Sequence, residues 1–251
     1  DPRVVGVAGH TFSGSTIAAI PIYEEAGIVM VSPSTTLANL PELGPNVYNR
    51  VAFSDKIQGE MAAKYIYEQL GVTKVVGLHD GGAYGQGLVE GMAAAFEALG
   101  GEVLGIEAVT PGETDYSAPL AAIAALAPEL IYWGGYDADG AVLVSQMDGA
   151  GLSDALFFGC DGTYGSNYIQ LAGSASEGSY STYVPIPPSE AFDDFAAASC
   201  TDGLWHSSPL GGQHHLHWPK GLATLNGSHC AVHEREVQHS ARARERAHAA
   251  F

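Results

Sequence analysis

The feature that most narrows the fold is an alternation running through residues 1–197. Short apolar runs rich in β-branched residues are each followed by a stretch with helical spacing. "RVVGVAG" leads into "STIAAIPIYEEAG", and "GIVMVSP" and "KVVGLHD" follow as further apolar runs. "EVLGIEAV", "LIYWGG", "ALFFGC" and "GSYSTYV" complete the set. The unit recurs about every 30 residues, the length of a βαβ crossover. The runs are continuously apolar, as in strands covered on both faces. The pattern therefore predicts an α/β fold with mostly parallel, doubly wound sheet. "KIQGEMAAKYIYEQLG" predicts one amphipathic helix, with Ile57, Met61, Ala62, Tyr65 and Leu70 on a shared face and Gly71 closing it. "DYSAPLAAIAALAPE" predicts another, capped by Asp115 or Ser117, with Pro119 in its first turn.

Composition sets the function classes. The 251 residues are 46% hydrophobic and 15% charged, with a formal net charge of −18. Such a balance excludes nucleic acid and anionic membrane surfaces as partners. No apolar run approaches the roughly 20 residues of a membrane span. Cys160, Cys200 and Cys230 are too few and scattered for a disulfide framework. No signal peptide is visible, and Asp1 stands almost directly before an apolar strand, so the true start is expected upstream.

The character changes near Ala198. Residues 1–197 hold 24 acidic and 5 basic residues, whereas residues 198–251 hold 4 and 5, with 8 of the 10 histidines. The 198–251 segment is expected to be disordered or non-native. His229, Cys230 and His233, with His214, His215 and His217, have ligand-like chemistry, but their spacing lacks the tight paired knuckles of a structural zinc site. No metal site is expected.

In a doubly wound sheet, ligands collect beyond the C-terminal ends of the strands. The loops there are distinctive. "HTFSGST" offers Ser13, Ser15 and Thr16, and "SPSTT" offers Ser32, Ser34, Thr35 and Thr36. Three further loops offer Tyr84, Tyr136 and Asp161. Ser13 stands where a helix begins, so free N–H groups and the helix dipole favour an anion there. Hydroxyls supply donors or accept from an ammonium. Asp161 is suited to pair with a cation, and the tyrosines give flat amphipathic walls. An anion site facing a cation partner describes a zwitterion. Each residue also has a plainer reading: Ser13 and Asp161 as helix caps, Thr36 as a turn residue, the tyrosines as packing.

"GHTFSGST", "YEEAGIVMVSPSTT", "YGQG", "DYSAPLAAI" and "IYWGGY" together resemble the branched-chain amino-acid-binding proteins of ABC transporters, in the type I periplasmic binding protein family. The resemblance covers nearly all of residues 4–197. It implies two α/β lobes closing on an amino acid, the first lobe incomplete here. By that resemblance Ser13 holds the ligand carboxylate. Ser34, Thr35 and Thr36 lie on the loop serving ammonium and carboxylate, Tyr84 and Tyr136 line the cleft, and Asp161 pairs with the ammonium. Two departures stand out: Asp161 replaces a glutamate, and Phe12 replaces a disulfide cysteine.

The implied organisation is a partial lobe one over 1–51, lobe two over 52–182, and a return crossing with the start of a lobe-one helix over 183–197. Hinges are expected near Asn49–Phe53 and Ser181–Pro185. The implied function is extracytoplasmic capture of an aliphatic amino acid for an ABC permease. The protein is expected to be a periplasmic or extracellular monomer, lipid-anchored in some forms, that needs no cofactor. Other ligands (an amide, urea or an aromatic acid) and a sensor role remain open. An α/β enzyme is the remaining class. Neither a G-x-S-x-G elbow nor a G-x-G-x-x-G fingerprint is present. The neighbouring His79 and Asp80 would point to opposite faces of their strand.

Overall fold

In the computed structural model the described residues are 3–183 and the backbone of 231–234. They form two sheets. The first holds three parallel strands, β1 (Gly6–Ala8), β2 (Val29–Ser32) and β3 (Tyr48–Arg50), in the order β1-β2-β3. Helix α1 (Ser13–Ala26) crosses over between β1 and β2. It stops because Gly27 adopts φ 63°, a left-handed conformation that only glycine takes without strain. A single turn, α2 (Leu40–Leu43), precedes β3.

The chain then enters α3 (Asp55–Lys64), which continues as a π turn over Tyr65–Gln69. The second sheet follows, in the chain order β4 (Lys74–His79), α4 (Ala83–Ala98), β5 (Glu102–Ala108), α5 (Ser117–Ala124), β6 (Leu130–Gly134), α6 (Asp137–Met147), β7 (Leu156–Gly159), α7 (Ser166–Ala172) and β8 (Tyr180–Tyr183). The strand order is β5-β4-β6-β7-β8, all parallel, with β9 (Ala231–Glu234) antiparallel on the β8 edge. The doubly wound expectation is therefore met. Strand order reverses at β4, whose neighbours β5 and β6 lie on opposite sides. That reversal leaves a crevice above the C-terminal ends of β4 and β6.

Both faces of the second sheet are covered. On one side Ile66, Leu88, Val89, Met92 and Phe96 pack against Val75, Tyr132 and Phe158. On the other, Leu120, Ile123, Leu143 and Met147 pack against Val76, Leu78, Ile131 and Trp133. The first sheet has one small cluster, Ile20, Met30, Leu40 and Tyr48.

Two local expectations are corrected. The long amphipathic helix is not uniform. Leu70 N–H bonds back to Tyr65 C=O, five residues earlier, and this wider turn lets Tyr65 and Ile66 both enter the core. Ile57 points outwards, 43% exposed, because the helix instead presses Gly59 onto the α4 backbone; a Cβ there would lie 2.9 Å from Met92 N. The cap of α5 is neither Asp115 nor Ser117. Tyr116 holds the cap position, and the Asp115 carboxylate accepts the Ser117 N–H at 2.9 Å.

Candidate functional site

Three loops of the second sheet converge over the crevice. Tyr84 stands in the first turn of α4, Tyr136 just before α6, and Asp161 at a 3-10 turn after β7. Their approach needs small residues beneath. Gly85 of α4 lies so close to Gly134 of β6 that a Cβ on either would collide with the other's carbonyl. Tyr84 and Tyr136 have ring centroids 5.6 Å apart. The Tyr84 hydroxyl donates to Asp161 Oδ1, lies 3.1 Å from Cys160 Sγ, and accepts the Gly162 N–H at 3.2 Å.

Burial pushes the Tyr84 hydroxyl well above its ordinary pKa, and the nearby Cys160, Asp161 and Asp55 add to it. It therefore stays protonated and acts as a donor. Burial likewise pushes Tyr136 up to about 12 and Cys160 up to about 11, so that thiol is neutral and unreactive.

The loops of the first sheet supply the facing side. Ser32 organises "SPSTT": its hydroxyl donates to His10 C=O at 2.6 Å and accepts the N–H groups of Thr35 and Ser34 at 3.0 and 3.3 Å. Thr35 is buried and its hydroxyl meets Tyr48 OH at 2.7 Å, so it holds the loop together from beneath. Ser34 is exposed. Thr36 is buried, and its carbonyl accepts the Asp55 N–H at 2.8 Å. Arg50 Nη1 donates to the carbonyls of Leu37 and Thr35 at 2.9 and 3.4 Å.

Ser13 is buried but does not cap α1. Phe12 holds the cap position with extended backbone and no side-chain bond. Ser13 Oγ instead accepts the Leu37 N–H at 3.4 Å, tying the start of α1 to the neighbouring loop. The Phe12 ring spans the gap between the two sheets, meeting Tyr136 edge-on at 5.7 Å.

Two residues at the centre escaped the sequence reading. Gln58 is fully buried, and its Nε2 donates to Asp161 Oδ1 at 2.8 Å and to Thr182 Oγ1 at 2.7 Å. Asp55 is 2% exposed, and neither carboxylate oxygen has a hydrogen-bond partner among the described residues. Burial raises its pKa to about 7. Thr36, whose hydroxyl is near but outside hydrogen-bond geometry, pulls it down, Asp161 pushes it up, and Arg50 pulls it down. Asp161 is thus one of two neighbouring carboxylates. The only early signal of Asp55 was its place after Ser54, where it reads as an ordinary first-turn acid.

His79 and Asp80 are each committed to a local turn. His79 Nδ1 accepts the Gly81 N–H at 3.0 Å, and Asp80 Oδ1 accepts the Gly82 N–H at 2.8 Å. Among the described residues no group of three or more His, Cys, Asp or Glu is arranged to hold a metal ion, and no helix is long and apolar enough to cross a membrane. The histidine-rich candidates His214, His215, His217, His229 and Cys230 lie outside the described residues, and of His233 only the backbone is described.

The periplasmic binding protein family profile matches residues 1–199. The chain belongs to this family. It is 34% identical over 181 residues to Leu/Ile/Val-binding protein homolog 1 of Brucella suis biovar 1, covering 72% of this chain and 48% of that protein. It is also 34% identical over 176 residues to a leucine-, isoleucine-, valine-, threonine- and alanine-binding protein of Pseudomonas aeruginosa, covering 70% and 47%. The chain thus spans about half the length of these curated relatives. Among solved structures, a leucine binding protein from Thermotoga maritima superposes with TM-score 0.71 at 27% identity, covering 81% of this chain and 59% of that one. A Streptococcus pneumoniae branched-chain amino acid binding protein in complex with isoleucine gives TM-score 0.66 at 26% identity, covering 82% and 59%. An R. palustris solute binding protein in complex with 4-hydroxybenzoate shares the fold at 21% identity, with TM-score 0.70 over 81% of this chain and 56% of that one.

Proposed function

We propose that this chain carries the ligand-contacting part of an extracytoplasmic solute-binding protein that captures an aliphatic amino acid and hands it to an ABC permease. Residues 1–51 form part of one lobe and 52–182 most of the other, with hinge closure rather than bond chemistry as the working step. The observation that carries the reading is the pairing of two unlike half-sites. Ser13 and the "SPSTT" loop stand at a helix start and strand end on the first sheet, and Tyr84, Tyr136 and Asp161 converge on the second. The first half suits a carboxylate, through N–H and hydroxyl donors at a helix start. The second suits an ammonium, through Asp161 and the faces of two tyrosines.

Ser13, Thr36, Tyr84, Tyr136 and Asp161 are the proposed contacts. Ser34 contributes through its loop, and Thr35 supports the loop from its bond to Tyr48. Isothermal titration of leucine, isoleucine, valine, urea and benzoate into the chain tests this. The expected result is binding of the aliphatic amino acids with the ligand recovered unchanged. Binding of benzoate and none of the amino acids would overturn it. Asp161→Ala is expected to weaken leucine binding by about 2–5 kcal/mol, since it leaves an ammonium unpaired.

A further inference from the structure

Asp55 is chemically out of place unless something meets it. A buried carboxyl group normally spends its oxygens on hydrogen bonds. Asp55 is 2% exposed and neither oxygen has such a bond among the described residues. The charged and titratable groups around it come from four other parts of the fold. Asp161, after β7, brings a second negative charge. Arg50, on β3, brings a positive one but directs Nη1 at the carbonyls of Thr35 and Leu37. Tyr84 on α4 and Tyr136 before α6 both feel the Asp55 charge and stay neutral. Two carboxylates in one buried site resist joint ionisation until a cation joins them. Asp161 already receives Gln58 and Tyr84, whereas the nearest donor to Asp55, the Thr36 side chain, favours its charged form but stands outside hydrogen-bond geometry.

We propose that Asp55 is a second ligand-facing carboxyl group and that capture of an ammonium-bearing ligand expels its proton. The inference rests on the amino-acid reading above. In the empty site the Asp55 carboxyl carries a proton at pH values below about 7. When the ammonium arrives, the carboxyl O–H bond breaks, the proton passes to solvent, and the carboxylate pairs with the ligand, which keeps its own protons. A ligand without a cationic nitrogen does not drive this step. The ionisation of Asp55 thereby selects amines over neutral and purely anionic solutes.

With a folded-state value of about 7 for the empty site, release is nearly complete at pH 6 and small at pH 8. Because the proton competes with the ligand, affinity falls as pH falls. The test is titration of leucine into the whole chain at pH 6, 7 and 8, in buffers of different ionisation enthalpy. The expected result is close to one proton released per leucine at pH 6, and a Kd about tenfold weaker there than at pH 8. Asp55→Asn is expected to abolish both the release and the pH dependence. The buffer series on the unaltered chain stands even where that variant fails to fold. Tight leucine binding with no proton released at pH 6, or release that persists in Asp55→Asn, overturns the inference and leaves the amino-acid reading intact. A folded chain that binds no amino acid at any of the three pH values removes both.

Discussion

The two sheets are built from the same crossover unit, yet only one is buried on both sides. In the second, α3 and α4 cover one face and α5, α6 and α7 the other, so β4 and β6 are buried along nearly their whole length. In the first, one face packs on Ile20 and Leu40, while Val29 and Val31 are 46% and 42% exposed on the other. Val5, just before β1, and Val51, just after β3, are 87% and 77% exposed. Parallel sheet is normally covered on both faces. The difference teaches that a strand's apolar character records the burial it was selected for, and that the described residues supply it for one sheet and half of it for the other. Each half of the proposed site inherits the stability of its own sheet.

The largest test is a matched pair of core truncations. Phe96→Ala removes a fully buried ring from the second sheet's main cluster. It is expected to lower stability by about 3–5 kcal/mol in urea unfolding. Ile20→Ala, in the four-residue cluster of the first sheet, should fall at or below the bottom of the range of about 2–5 kcal/mol for such truncations, because its surroundings can collapse. Equal losses would dissolve the contrast. Native-state hydrogen exchange sharpens it: β4 and β6 amides should exchange only through global unfolding, and β1–β3 amides through local opening.

Next in size is the carboxyl group where the two halves meet. Asp55 has a folded value of about 7 against an ordinary 3.8. Its contribution to stability is therefore fully present below pH 4 and lost as pH rises through 7. The ligand-free chain should be more stable at pH 5 than at pH 8, with roughly 2–4 kcal/mol of the difference due to this group. Thermal unfolding of the chain and of Asp55→Asn at both pH values measures it. The variant should be the more stable at pH 8 and should lose this part of the pH dependence. A dependence unchanged by the substitution assigns it to the net charge of −18 instead.

How much of this was legible follows from which forces are local. The crossover alternation, the strand ends and the loops bearing Tyr84, Tyr136 and Asp161 were readable, because hydrophobic period and turn residues are properties of short stretches. Asp55 and Gln58 were not. In "SDKIQGEM" both read as the polar side of an amphipathic helix. Gly59, by letting α3 sit against the α4 backbone, turns that side inwards to Asp161 and Thr182. The Ser13 cap failed for a related reason. Its hydroxyl found the Leu37 N–H, 24 residues away, a partner visible only once β1 and β2 lie side by side.

The smallest predicted effect isolates the bare face itself. Val31→Thr keeps the β-branched shape and strand preference and adds a hydroxyl on the exposed side of β2. Since nearly half of Val31 already meets solvent, little burial is lost, and the change in stability should lie within about 0.5 kcal/mol. Its effect belongs on self-association. Val29 and Val31 share the exposed face of β2 and give it an apolar character of the kind that draws chains together. Sedimentation velocity over a concentration series should show less association for Val31→Thr than for the parent chain, with ligand affinity unchanged. A loss of several kcal/mol would instead mean that Val31 is covered in solution. The first sheet would then be as fully dressed as the second, and the contrast between them would vanish.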